Sequence, residues 1–179
     1  MAKLATFPVH LKDMSKRSTA TVREQPVAAK TSVSGPLFVH SETFTIDTQE
    51  RLELHDLTDR VMAMVRECPV TEGTVNLFSM HTTCTVFINE TQKALTSDIK
   101  RFLEQVVDSA DAWMHNDPRF SECDRGNADS HLRALLLGHA LTLQVSGGEV
   151  VLGQWQRILF AELDGPRPRS LRLQVMGVA

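Results

Sequence analysis

The spacing of hydrophobic positions changes period repeatedly along the chain. Residues 37–46 form a strand-like run, with Leu52 and Leu54 close behind, and then Leu57, Val61, Met64 and Val65 recur at helical spacing. Asp56 or Thr58 is placed to cap that helix. Gly73 opens two segments dominated by Val, Phe, Ile and Thr, residues 74–80 and 83–88, which predict strands. Leu95, Ile99, Phe102, Leu103, Val106 and Val107 fall on one face of an amphipathic helix. A polar loop with Pro118 and Gly126 leads to a shorter helix, residues 130–137, with Asn127 or Asp129 as N-cap and Gly138 as the stop. Strands are predicted over 140–145, 149–152, 154–163 and 169–176, joined by turns at Gly147-Gly148 and Asp164-Gly165-Pro166.

Strands near both ends with helices between them predict an α+β fold, a single domain built as a layered sheet or sandwich over residues 37–179. Residues 1–36 lack both periods, are rich in Ser, Thr, Ala and Lys, and contain only Asp13 and Glu24 as acids, so they read as a flexible tail. A formal charge of −3 gives no footprint for nucleic acid. No apolar run approaches the ~20 residues that span a bilayer. Cys68, Cys84 and Cys123 are an odd number without CxxC spacing, which points to a reducing, cytoplasmic setting.

Candidate chemistry sits in the last two thirds of the chain. His81, His115 and His131 lie in separate segments that folding can bring together, and three imidazoles would leave an open position on a metal. The competing reading makes each a structural, hydrogen-bonded histidine, as we read His10, His40, His55 and His139. Asn127-Ala128-Asp129-Ser130-His131 crowds polar groups at a helix start, which suits either a cap or an anion. Arg167, Arg169, Leu171, Leu173 and Val175 share one parity of a strand, so both arginines extend its buried face, and Glu162 on the preceding strand can reach them. That arrangement serves either as a buried ion pair or as a fork for phosphate. Asn89 and Glu90 end a strand, with Asp98 on the next helix, where a catalytic group or a simple turn would fit. Cys84, in a hydrophobic strand, reads as an inert thiol, and Trp113 and Trp155 as packing residues.

Six blocks in order carry a more specific signal: His81-Thr82-Thr83, Ile88-Asn89-Glu90 with Asp98, His115, Asn127-Ala128-Asp129-Ser130-His131, Leu152-Gly153-Gln154-Trp155-Gln156, and Glu162-Leu163-Asp164-Gly165-Pro166-Arg167. Together they resemble the YjbQ-like family, also labelled secondary thiamine-phosphate synthase, over residues 37–177. Cys84 and Ser130 stand where that pattern more often has alanine. The resemblance implies a compact α/β fold, a homotrimer and a pocket able to take a divalent metal, zinc or another transition metal, through His81, His115 and His131. It also implies a reaction on small phosphorylated molecules, joining an aminopyrimidine methyl diphosphate to a thiazole phosphate. Arg167 and Arg169 would then neutralise the departing diphosphate, and Glu90, Asp129 or Glu162 would orient water or move a proton. A non-catalytic oligomer that binds metal and a phosphorylated metabolite is the alternative.

Overall fold

The computed structural model describes residues 31–179; the first 30 residues of the expected tail lie outside the described part. Regular structure begins at Leu37, after six exposed residues without assigned secondary structure. The strands are β1 (Leu37–Asp47), β2 (Glu53–Asp56), β3 (Glu72–Ser79), β4 (Cys84–Asn89), β5 (Ala140–Ser146), β6 (Glu149–Val150), β7 (Arg157–Glu162) and β8 (Pro168–Val178). The helices are α1 (Thr58–Arg66), α2 (Lys93–Val106) and α3 (Ala128–Leu137), with a short 3-10 turn at Met114–Asn116.

Two antiparallel sheets form the frame, one of five strands in the order β1-β8-β3-β5-β6 and one of three in the order β2-β7-β4. Alternation along β1, β3 and β8 turns Phe44, Ile46, Val75, Leu77, Leu171, Leu173 and Val175 inward. They meet Val86, Ile158 and Phe160 of the smaller sheet and Val61, Met62 and Val65 of α1 in the main core. On the far side of the smaller sheet, Ala161 and Leu163 pack with Leu103 of α2 and Ala134 of α3 in a second cluster. All six residues of β7 are therefore buried, as expected for a central strand covered on both faces. The layered α+β expectation matches this architecture. Among the described residues, no helix is long and apolar enough to cross a membrane.

Three local expectations need correction. Asn127 occupies the N-cap position of α3 but makes no capping bond, because its amide is drawn instead to Asp164. The predicted apolar face of α2 is only partly covered: Leu103 and Val107 are buried, whereas Phe102 and Val106 lie in the open. Arg167 does not extend the buried face of β8; it precedes the strand, in the turn, and remains partly exposed, while Arg169 alone points inward.

Candidate functional site

The end of β7 delivers Glu162 into the interior with no solvent exposure, where a carboxylate needs a full set of donors. Arg169 of β8 approaches it with both Nε (2.5 Å) and Nη2. The Thr48 hydroxyl donates to it at 3.1 Å and the Asp164 amide at 2.8 Å. The Arg169 guanidinium also donates to the Thr83 hydroxyl at 3.0 Å. Burial works to lower the pKa of Arg169, but its bonds to Glu162 and the carboxylate charge outweigh that and hold it above the ordinary value. Of the two sequence readings for Glu162, the structural one describes its geometry: both partners are closed off from solvent.

Two residues further on, Asp164 is buried and gathers a different set. Arg125 Nε (3.1 Å), Asn127 Nδ2 (2.8 Å) and Arg167 Nη2 (3.0 Å) all reach its Oδ2. Arg51 Nη1 lies 4.0 Å from Oδ1 and the same guanidinium donates to Asp129 at 3.1 Å. Gly126 has φ of +57°, a left-handed conformation that turns the chain so that Arg125 and Asn127, on either side, both reach one carboxylate. Asp129 Oδ2 sits 2.9 Å from Arg133 Nη1 but off the line of its N–H bonds, so it accepts no hydrogen bond there. Arg133 sends its other donors to the carbonyls of Leu103 and Val107, satisfying the open end of α2.

Beside this cluster, His131 in the first turn of α3 faces His115 of the 3-10 turn, ring centroids 5.0 Å apart and nearly perpendicular. The two rings help line a cavity of about 300 Å³ with Trp113, Met114, Ala128 and Leu132. Burial first, and then the His115 charge, push the His131 pKa below its ordinary value against the pull of Asp164 and Asp129. His131 is thus held towards the neutral form, with a lone pair to offer.

His81 stands elsewhere. Its Nε2 accepts the Ser170 amide proton at 2.9 Å, which occupies the lone pair that a metal would use. Among the described residues, no three His, Cys, Asp or Glu side chains are grouped to hold a metal ion, so within one chain the three histidines do not form a common ligand set. Glu90 follows β4 with its amide bonded to Asn89, and takes no part in the bonds around Glu162 or Asp164. Cys84 is buried, and burial pushes its thiol pKa up, as suits an inert residue.

The His81 bond has a measurable consequence. Burial, then the Arg169 charge, hold its pKa below the ordinary value. The folded state then binds fewer protons than the unfolded state below about pH 6.5, so this contribution to stability is complete above that pH and is lost as pH falls through the folded pKa. A His81→Gln variant is expected to show a shallower decline of Tm between pH 7.5 and 5.5 than the wild type. An unchanged slope would remove His81 from the pH response.

Arg51, Arg125, Arg133 and Asp164 did not stand out in the sequence as site residues. Asp164 stood in a turn and in one of the six resemblance blocks without a role of its own, and the arginines occur without a pattern in loops or on the face of α3.

Fold and site define a two-sheet α+β protein with a buried arginine–carboxylate network beside a pair of imidazoles. The chain belongs to the YjbQ-like UPF0047 family, whose model matches residues 42–178. A UPF0047 protein of Methanothermobacter thermautotrophicus is 42% identical over 139 residues, covering 78% of this chain and 93% of that protein. The UPF0047 protein YugU of Bacillus subtilis is 33% identical over 136 residues, covering 76% and 98%. Among solved structures, a YbjQ-like protein from Sulfolobus solfataricus superposes with a TM-score of 0.74 at 30% identity, over 79% of this chain and 99% of that one. A hypothetical protein of Aeropyrum pernix gives 0.70 at 33% identity, over 77% and 98%.

Proposed function

We propose that the protein acts on small phosphorylated molecules, and that its reaction joins an aminopyrimidine methyl diphosphate to a thiazole phosphate. The observation that carries this reading is Arg167, partly exposed and aimed by Asp164, a carboxylate whose charge also acts on His131 of the two-imidazole cavity. In the reaction the thiazole nitrogen gives its lone pair to the methylene carbon as the C–O bond breaks, and diphosphate leaves with the bonding pair. No proton moves in that step. The demand falls on cations that meet the charge growing on the leaving oxygens, which Arg167 can supply. Glu162 and Asp129, both in ion pairs with arginine, serve to hold guanidiniums in place. His115 and His131 would contact the heteroaromatic ring.

The test is product formation from the two substrates, followed by chromatography. We expect turnover by the wild type and a loss of about 10²-fold in Arg167→Ala. Absence of product, or full activity in both Arg167→Ala and His131→Ala, would sink the reading. The non-catalytic alternative uses the same arginine and imidazoles to hold a phosphorylated metabolite without turnover. Saturable binding of both substrates without turnover would select it.

Exposed Phe102, Val106, Leu135 and Leu136 on α2 and α3 support assembly into a homotrimer, which sedimentation velocity would detect. The three free cysteines fit a cytoplasmic location.

A further inference from the structure

We propose that Arg51, Arg125 and Arg167 form a receptor for the terminal phosphate of a monoester or diphosphate, organised by the carboxylate of Asp164. The inference rests on the reading above and deepens it by adding two arginines, from two loops, that no sequence motif marks.

The carboxylate lies beneath the three guanidiniums. Asp164 is 1% exposed, whereas the side chains of Arg51, Arg125 and Arg167 are 48%, 47% and 28% exposed. Each arginine uses only part of its five donors on protein acceptors: Arg51 on Asp129 and Gly126, Arg125 on Asp164, and Arg167 on Asp164. The free edges of three planar forks therefore remain for a ligand with several oxygens, which is the geometry of a phosphate.

Charge points the same way. In the ion-pair network Arg51, Arg125, Arg133 and Arg167 face two carboxylates, Asp129 and Asp164, so two positive charges are left over in a chain whose formal charge is −3. The acids close to Arg51 in sequence are engaged elsewhere, Glu50 with Lys100 and Glu53 with the amides of Gln49 and Glu50. Stability alone gives little reason for this arrangement. The guanidiniums reach into solvent, where an ion pair contributes weakly, and Arg51 makes no hydrogen bond to Asp164 at all. Held at fixed positions by a buried anion, the three guanidiniums are ordered before any ligand arrives, which lowers the entropic cost of binding.

The experiment is calorimetric titration of the full-length protein with inorganic pyrophosphate at low salt, on wild type, Arg51→Gln, Arg125→Gln and Arg172→Gln. Arg172 is an exposed arginine on β8, bonded to Thr43, and controls for the simple loss of one positive charge. We expect Kd to rise about tenfold or more in each of the first two variants and little in the third. Failure of the wild type to bind pyrophosphate, or equal weakening in all three variants, would overturn the receptor. If Arg51→Gln and Arg125→Gln bind as wild type while thiamine phosphate is still formed, the receptor fails and the proposed reaction stands. Selective loss of pyrophosphate binding in a protein without synthase turnover would keep the receptor and remove the reaction.

Discussion

Glu162→Ala is expected to destabilise the protein by about 3–5 kcal/mol, because it leaves Arg169 charged, 1% exposed and without its partner. For a chain of this size that corresponds to a fall in Tm of roughly 6–20 °C. Thermal denaturation followed by circular dichroism would measure it. The argument depends on the pair acting as a unit, so a double variant, Glu162→Leu with Arg169→Met, should recover most of the loss by removing both charges together. A single variant that melts within 2 °C or so of wild type would show that water reaches Arg169 and that the pair is less enclosed than its geometry indicates.

Gly165→Ala is the second large effect. A Cβ at this position would lie 2.3 Å from the Glu50 carbonyl oxygen, 2.7 Å from Glu162 Cγ and 2.9 Å from Thr48 Oγ1. None of these neighbours can easily withdraw. Glu50 contributes backbone, while Thr48 and Glu162 are tied to each other and to Arg167 and Arg169. Relief must come from parting the turn after β7 from the loop after β1, with loss of the bond from the Gly165 amide to the Arg51 carbonyl. The expected cost is about 3 kcal/mol. Because Arg51 and Asp164 lie on opposite sides of that junction, the variant should also bind pyrophosphate more weakly than its residual folded fraction explains. Titration below the melting range separates the two effects. Normal affinity in a fully folded variant would mean that the junction yields without moving either residue.

Periodicity made the scaffold readable. The strand over residues 37–46, the amphipathic run from Leu95 to Val107 and the Gly147-Gly148 turn all reappear within a residue or two, since each is set by local spacing and turn chemistry. The link between Glu162 and Arg169 was legible for the same reason: parity places both inward, although the strands belong to different sheets, bridged by residues 163–167, and do not form the expected hairpin. Arg167 shows where parity stops being informative, because its residue precedes the first paired position of β8 and follows the turn instead.

The centre of the site had no local signature. Arg51 and Arg125 meet Asp164 across long sequence separations, and nothing in a polar loop announces which distant carboxylate it will find. Asn127, one of two capping candidates in its segment, takes the N-cap position, yet its side chain is oriented by the bond from its amide nitrogen to the Asp164 carboxylate and caps nothing. The histidines divide on similar grounds. His115 and His131 meet because the 3-10 turn packs against the start of α3, whereas His81 is held by the backbone of Ser170, a bond that no motif could reveal.

The position of β7 carries a consequence for how the protein comes apart. Ile158 and Phe160 belong to the main core, while Ala161 and the following Leu163 belong to the cluster under α2 and α3. Neither cluster can melt while the other stays intact without stripping one face of the same strand. The two should therefore unfold in a single cooperative transition, and the amides of β7 should be among the last to exchange with deuterium, opening only when the whole domain does.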